Sequence, residues 1–295
     1  ESMSKISFWS LWITLAIGTI VGISLLLGIG VMQSWSAVML GVALSVVEVS
    51  LFVLLLRLLP QWPQGKSWWL LPALLWGGFA SMVIIFATGT SASTLMIMYG
   101  LDMFEASMGG AYPEEAVKAL GVFLVLTAYR NFNRPWHGLV VGIVVGIGFE
   151  VVENTFYGGT GAVLDPVSDV AGTLSMWGMR TIFGPGIHGM LSGIAGWGIG
   201  LALFSAQRGV IWRLSQVCGW LFLAFACHFT WNIQWPSEDT SVMVMVCVGV
   251  VMYGTVIGIV AYSWKKAKKP RMMTTSCRLA MMPATPNFHS KRTAR

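Results

Sequence analysis

The chain has 295 residues, of which 56% are hydrophobic and only 10% are charged, and its mean hydropathy is +0.72. Soluble domains carry about 25% charged residues, so this composition excludes an ordinary soluble globular protein. The net charge of +6 does not indicate nucleic-acid binding, because the basic residues lie at the ends of apolar segments and in the C-terminal tail. The sequence therefore predicts an all-α, polytopic transmembrane helical bundle.

About eight apolar windows of roughly 20 residues, long enough for a helix to cross a bilayer, follow one another along the chain. They cover 8–31, 37–59, 67–89, 111–129, 137–158, 186–206, 214–235 and 242–264. Basic side chains fall on one side of these spans and acidic side chains on the other. By the positive-inside rule, we expect both termini to be cytosolic and the segments 90–110 and 159–185 to be external loops, with Arg180 as the one basic exception.

The fourth predicted span begins with the segment Pro113-Glu114-Glu115-Ala116-Val117-Lys118, which carries three charges. A charged side chain at mid-bilayer costs about 2.5–3.5 kcal/mol on insertion scales, so such charges are expected only where they face a partner or water. Lys118 is i+4 from Glu114 and i+3 from Glu115, so its ammonium group can reach either carboxylate. The cluster is either a buried ion pair that fixes helix packing or part of a functional site.

The fifth and sixth predicted spans are rich in glycine at a spacing of three to four residues, which lets two helices approach backbone to backbone. These glycines are Gly138, Gly142 and Gly146 in the fifth span and Gly189, Gly193, Gly196 and Gly200 in the sixth. Small residues alone indicate tight packing and no chemistry. Both spans, however, also carry polar side chains.

Three further spans carry polar side chains at about the same depth as the cluster of the fourth span. The fifth span ends with Glu150, Glu153 and Asn154, the sixth begins with His188 after an upstream Arg180, and the seventh carries His228 and Asn232. The last two are spaced i, i+4 and so share one helix face. At 1.5 Å of rise per residue, the acidic and imidazole groups of spans four to seven lie about 22–30 Å from the nearest cytosolic basic residue, in the outer third of a core about 30 Å thick. This convergence predicts a common site.

The same estimate of depth from the helical rise places Glu48 at a different level of the bilayer. It is about 13 Å from Arg57 along its helix, nearer the middle of the bilayer. We therefore expect Glu48 to lie outside the polar layer, in a structural role.

Histidine, carboxylate and asparagine side chains supply the nitrogen and oxygen donors of zinc-like sites. The sequence contains no HExxH segment, which excludes a soluble zincin helix. The four cysteines form no CxxC pair, so a thiolate metal site is not indicated.

With these residues, the chain resembles the PrsW family of intramembrane proteases and is distantly similar to the CAAX prenyl endopeptidase and bacteriocin-immunity group. The matching segments are Glu114-Glu115-x-x-Lys118, Phe149-x-x-x-Glu153-Asn154, Arg180 with His188, and His228-x-x-x-Asn232. They cover about residues 110–235. Asn232 departs from the PrsW pattern, where an acidic residue is common, but asparagine is usual in the CAAX-type relatives.

The resemblance implies an intramembrane endopeptidase that hydrolyses peptide bonds of single-pass membrane proteins, for example anti-sigma factors, near the external membrane face. It implies Glu114 or Glu115 as the base beside Lys118. His188, His228 and Glu153 would hold a Zn²⁺ ion, with Asn232 as a further ligand or an orienting group. Asn154 and Arg180 would support the ligands or the oxyanion. In a metal-free alternative, the glutamate pair activates water and the histidines stabilise the oxyanion.

These expectations divide the chain into four parts: 1–110 with three spans and an external loop, 111–235 as the catalytic core, 236–264 as the eighth span, and 265–295 as a basic, disordered cytosolic tail. The lipid bilayer and a single-pass substrate are the expected partners, in a bacterial cytoplasmic membrane. A proton or cation transporter is one rival interpretation, since intramembrane carboxylates and histidines also form relays. A non-catalytic membrane scaffold is the other.

Overall fold

The computed structural model describes residues 4–268 and places them in ten α-helices. They are α1 (Lys5–Met32), α2 (Trp35–Arg57), α3 (Leu70–Leu75), α4 (Ser81–Met98), α5 (Tyr112–Ala128), α6 (Pro135–Leu164), α7 (Asp169–Phe183), α8 (Ile187–Phe204), α9 (Val210–Trp231) and α10 (Glu238–Lys268). A π-helical turn at Trp76–Ala80 joins α3 and α4 into one continuous helix. Residues 4–268 contain no strand, and the predicted all-α fold is confirmed.

Seven helices in the described part of the chain are long and apolar enough to cross a membrane, namely α1, α2, the joined α3–α4 helix, α6, α8, α9 and α10. Helix α5 corresponds to the remaining predicted span, 111–129. It has 17 residues and carries three charged side chains in its first two turns, so length and composition alone do not mark it as a crossing helix. The protein is a polytopic helical bundle, as the hydropathy predicts.

Helix α6 lies at the centre of the bundle. Of its most apolar window, 83% is buried, against 11% for α2, which lies at the periphery. Its glycines lie against the backbone of α8: a Cβ atom added to Gly142 would meet the carbonyl oxygen of Ser192, and one added to Gly146 would meet that of His188. Because glycine has no Cβ atom, the two helix backbones come into contact along this line.

The segment 159–185, which we expected to be a loop, is mostly helical, so that expectation is wrong. Helix α6 continues to Leu164, and α7 then runs antiparallel along it. Gly161 and Gly172 approach each other through their backbones, and the hydroxyl of Thr173 donates to the carbonyl oxygen of Gly158 at 3.1 Å. Helix α7 has only 15 residues, too few for the 20-residue window that finds crossing helices. The segment 90–110 is also partly helical, since α4 extends to Met98.

One end of the bundle is basic. The backbone N–H of Ser4 donates to the carbonyl oxygen of Thr127 at 3.1 Å, so the start of α1 lies beside the end of α5. Cavities at this end are lined by Arg130, Arg134, Arg213, Lys266 and Lys268. The beginning and the end of the described chain therefore lie at the same end of the bundle. Their cytosolic location and the division into four parts stay predictions. Residues 265–268 of the predicted disordered tail, 265–295, form the last turn of α10, and 269–295 lie outside the described residues.

Candidate active site

At the other end of the bundle, a cavity of about 710 Å³ lies among helices α5 to α10. Seven of the nine side chains that the sequence predicts as site residues line it: Glu114, Glu153, Asn154, Arg180, His188, His228 and Asn232. The remaining two, Glu115 and Lys118, lie directly behind the wall. Five helices thus contribute to one site.

The three charges of α5 form a buried cluster behind and beside the cavity. The Lys118 ammonium group is fully buried and lies 2.7 Å from Oε1 of Glu115 and 3.5 Å from Oε2 of Glu114. It also lies over the ring of Phe149, 4.6 Å from the centroid. The buried ion pair, one of the two alternatives that the sequence allowed, is therefore formed. The functional alternative is not excluded by it, because Glu114 also lines the cavity.

His228 on α9 is held by the second glutamate of the pair. Its Nδ1 lies 2.8 Å from Oε1 of Glu115. A neutral imidazole that donates through Nδ1–H leaves Nε2 as its acceptor atom. That Nε2 lies 3.8 Å from Oε2 of Glu114. Glu115 therefore orients His228 in the way that a carboxylate orients a catalytic or metal-bound histidine.

His188 is the second residue of α8, which begins at Ile187 directly after the left-handed Gly186, whose φ is +69°. A left-handed residue before a helix favours glycine, because a Cβ atom is strained there. Both ring nitrogens of His188 have partners: Nδ1 lies 3.1 Å from the Lys118 ammonium group, and Nε2 lies 2.9 Å from Oε2 of Glu153. Since an ammonium group can only donate, Nδ1 is the acceptor and Nε2–H is the donor.

Arg180 on α7 closes the site from the opposite side. Its guanidinium group contacts Oε2 of Glu153 and donates through Nε to Oδ1 of Asn154. It also lies over the ring of Tyr157, 4.1 Å from the centroid. The one basic residue that breaks the positive-inside pattern is thus neutralised by a carboxylate of α6.

Glu150 is a residue of the site to which the sequence analysis assigned no role. Its two oxygens accept the backbone N–H groups of Gly186 and His188, at 2.9 and 3.1 Å. Glu150 therefore anchors the start of α8, and with it the His188 ring. The signal in the sequence was its position one turn before Glu153 and Asn154, on the same face of α6.

Asn232 caps the C-terminal end of α9, where its backbone N–H donates to the carbonyl oxygen of His228 at 3.1 Å. Its side chain lines the cavity. The amide Nδ2 and Oε1 of Glu114 both lie next to Gly110. An amide donor and a carboxylate acceptor therefore lie close together on the cavity wall.

Four buried side chains bring possible metal-ligand atoms together. One atom from each of Glu114, Glu115, His188 and His228 lies within 4.8 Å of the other three. Two imidazoles with carboxylates are a donor set that suits zinc. This group differs from the ligand set that the resemblance implies: Glu153 is bonded to Arg180 and His188 instead, and Asn232 lies beside Glu114.

A comparison with known protein families gives one match. A family model described as PrsW family intramembrane metalloprotease matches residues 65–265. All nine predicted site residues lie inside the match. No curated protein and no solved structure matches the chain.

Proposed function

Because the chain belongs to the PrsW family of intramembrane metalloproteases, we propose that this integral membrane endopeptidase cleaves single-pass membrane proteins in the cavity lined by Glu114, His188 and His228. The observation that carries the proposal is the convergence of these three side chains, from three different helices, on one cavity wall. We infer the bacterial cytoplasmic membrane as its location.

Glu114 is the general base of the proposed reaction. Of the two neighbouring glutamates, Glu114 lines the cavity, whereas Glu115 is 1% exposed and is occupied by Lys118 and His228. A base must reach the proton that it removes, directly or through one water. Glu114 takes a proton from the attacking water and later returns it to the leaving amide nitrogen.

The tetrahedral oxyanion needs hydrogen-bond donors that are already in place. The amide Nδ2 of Asn232 lies on the cavity wall close to Glu114, so water attack and oxyanion stabilisation can occur around one peptide carbonyl. Asn154 accepts from Arg180, and Arg180 in turn holds Glu153 and, through it, the His188 ring. Lys118 supplies the positive charge that pairs the two buried carboxylates of α5.

We propose zinc as the metal, because two imidazoles with carboxylates are among its usual ligands. His188 and His228 would hold it through ring nitrogens, and Glu153, the carboxylate that the resemblance implies, would first have to give up its contacts with Arg180 and with His188 Nε2. Bound zinc would acidify the water and polarise the scissile carbonyl. Glu115 would then orient His228 through Nδ1, as the 2.8 Å contact supports.

The apolar part of the cavity lining supports the proposed substrate class. Apolar side chains of α7 and α10, among them Met176, Met179 and Met245, line it together with the charged cluster. A transmembrane segment presents apolar side chains and hides its peptide bonds in helical hydrogen bonds, which open most readily near a helix end. A single-pass protein cut near its membrane boundary, such as a membrane-anchored anti-sigma factor, fits this lining.

Co-expression with tagged single-pass membrane proteins tests the protease proposal. Wild type is expected to shorten a substrate, and Glu114→Gln, His188→Ala and His228→Ala are expected to leave it intact at equal protein levels. Glu238→Gln, a substitution at an exposed glutamate in the first turn of α10, is the matched control. Cleavage that persists in Glu114→Gln would contradict Glu114 as the base. An uncleaved substrate that still binds wild type would support the scaffold interpretation.

Metal analysis of purified protein tests the zinc proposal. We expect about one zinc ion per chain, lost in the double variant His188→Ala/His228→Ala, and cleavage that a chelator abolishes and added zinc restores. Fully active protein that contains no metal would replace this proposal with the metal-free alternative.

A further inference from the structure

Glu48 is a buried carboxyl group that the mechanism above does not use. It lies on α2, outside residues 65–265 that match the family. Its side chain is 7% exposed, although only 11% of the most apolar window of α2 is buried. Neither of its carboxyl oxygens has a hydrogen-bond partner among the described residues. An apolar residue would suit this helix better, so the carboxyl group needs an explanation.

The packing of α2 sets the position of Glu48. Gly41, Ser45 and Phe52 lie on the same helix face: Gly41 packs against Thr155, the Ser45 hydroxyl lies 3.4 Å from the carbonyl oxygen of Val151, and the Phe52 ring lies beside Gly186. Glu48 lies between Ser45 and Phe52 on this face. Its carboxyl group consequently faces α6 and the turn before α8, on the side where Glu150 accepts from the backbone of Gly186 and Asn154 follows one turn later.

This position differs from the expectation that Glu48 lies outside the polar layer. The rise per residue measures depth along a single helix. It does not show which part of a neighbouring helix a side chain faces, and α2 packs against both α6 and α7.

Two of the side chains around Glu48 hold parts of the candidate active site. Glu150 accepts the backbone N–H of His188, and Asn154 accepts from Arg180 through Oδ1. The amide Nδ2 of Asn154 is buried and has no partner among the described residues. A free amide donor and two free carboxyl oxygens therefore occupy the same small volume, and buried polar groups normally pair.

We propose that Glu48 is a positioning residue of the protease: its carboxyl group accepts from the amide Nδ2 of Asn154 and shares a proton with the carboxyl group of Glu150, and so holds Arg180 and the start of α8, with His188, in their working positions. This inference rests on the proposed function of the same site. It extends the site from the family-matching region to α2, which the matched residues do not include.

Two substitutions separate positioning from simple packing. Glu48→Gln keeps a side chain of the same shape that accepts and donates hydrogen bonds, whereas Glu48→Leu fills the space without them. We expect Glu48→Leu to lower kcat at least tenfold with KM changed less than threefold, and Glu48→Gln to stay within about threefold of wild type. Ser45→Ala, one turn away on the same face, is the matched control and is expected to behave like wild type.

Thermal unfolding in detergent decides whether a loss of activity reflects folding. Replacing an unpartnered carboxyl group by leucine in a membrane helix is expected to leave the unfolding temperature unchanged or raised, because sites arranged for function are often not arranged for stability. A Glu48→Leu variant that unfolds at a lower temperature and loses activity in proportion would assign Glu48 to structure and overturn the proposal.

The magnetic resonance of labelled histidine provides a readout that needs no substrate. The chain has only four histidines, and the His188 ring signals are assigned by their absence in His188→Ala. We expect them to shift in Glu48→Leu and to stay in place in Ser45→Ala and Glu48→Gln. Unchanged His188 signals in Glu48→Leu would overturn the proposal.

The failure of this inference is distinguishable from failure of the proposed function. If wild type cleaves its substrate, Glu114→Gln does not, and Glu48→Leu cleaves at the wild-type rate, only the role of Glu48 is refuted. If Glu114→Gln cleaves like wild type, the proposed function fails, while the His188 signals still report whether Glu48 positions that ring.

Discussion

Adjacent residues of like charge have different environments at this site. Glu115 is bonded to Lys118 and His228 and lies behind the cavity wall, whereas Glu114 has one carboxylate edge toward Lys118 and the other toward the cavity. The difference follows from the 100° rotation between successive helical residues. Substitutions at these two adjacent residues can therefore test catalysis and protein stability separately.

Glutamine substitutions at the two positions are expected to fail in different ways. Glu114→Gln should lower the cleavage rate about 10²–10⁴-fold, the contribution of a general base, and change the unfolding temperature little. Glu115→Gln removes the closest partner of a fully buried ammonium group, and breaking such a pair costs about 3–5 kcal/mol. Cleavage assays and thermal unfolding on both variants check this. Equal unfolding temperatures for the two variants would contradict the assignment.

Arg180 is expected to be intolerant of lysine. The guanidinium group contacts Glu153 and Asn154 at once, and a lysine ammonium group lacks the planar fork that such double donation needs. Arg180→Lys should lower kcat/KM about 10–100-fold, as loss of a group that orients active-site ligands does. Arg208→Lys, at an exposed position on the opposite end of the bundle, is the control. Wild-type kcat/KM in Arg180→Lys would show that the positive charge alone suffices.

At the scale of helices, the contact between α6 and α8 positions His188 relative to Glu153. The two backbones touch at Gly146 and His188 because Gly146 has no Cβ atom. The π-helical turn at Trp76–Ala80 gives a second close approach: Gly77 lies against the carbonyl oxygen of Val145, and Gly78 against that of Gly148. Helix α6 is thus held between two neighbours without intervening side chains.

Gly146→Ala tests this contact. The new Cβ atom would meet the carbonyl oxygen of His188, so α8 must move, at a cost of about 1–3 kcal/mol for overpacking. We expect a lower unfolding temperature and a loss of cleavage, because His188 moves with its backbone. Gly219→Ala on α9 is the matched control, since nothing lies within 4 Å of its added Cβ atom. A Gly146→Ala protein as active and stable as Gly219→Ala would refute the role of the contact.

At the scale of the whole molecule, charge is segregated between the two ends. The basic end carries Arg130, Arg134 and Arg213, and the other end carries the carboxylates of the candidate active site and the first turn of α10. Among residues 4–268, the seven helices that could cross a membrane and α5, which runs from the candidate active site to the basic end, make eight passes between the two ends. An even number returns the chain to the side on which it began, in agreement with Ser4 and Lys268 at one end.

Reporter fusions test the orientation. The positive-inside rule places the C-terminal end of α10 in the cytosol. Alkaline phosphatase fused after Lys268 is therefore expected to be inactive, and a fluorescent protein fused there is expected to be bright. Phosphatase fused after Ser237, in the turn before α10, should be active. The reverse pattern would place the active site at the cytosolic face and contradict the predicted external cleavage.

Much of the fold and of the site could be predicted from the sequence because the relevant signals are local. Runs of apolar residues predict crossing helices, and three charges at the start of α5 require a polar environment wherever the helix lies. The spacing of His228 and Asn232 sets both on one face of α9 before any packing is known. The resemblance to the family needed only such spacings, and it was confirmed over residues 65–265.

Only the tertiary structure decided which atoms meet. Hydropathy does not specify how far each helix is rotated about its axis, so the sequence could not separate Glu114 from Glu115, pair Arg180 with Glu153, or place Glu48 beside Glu150. Those pairings depend on glycine contacts that set the distance and register of α6, α7 and α8. Helix α7 escapes a prediction from hydropathy because its 15 residues are too few for a 20-residue apolar window. The sequence by itself thus determined which groups enter the membrane, and the packing determined what they face.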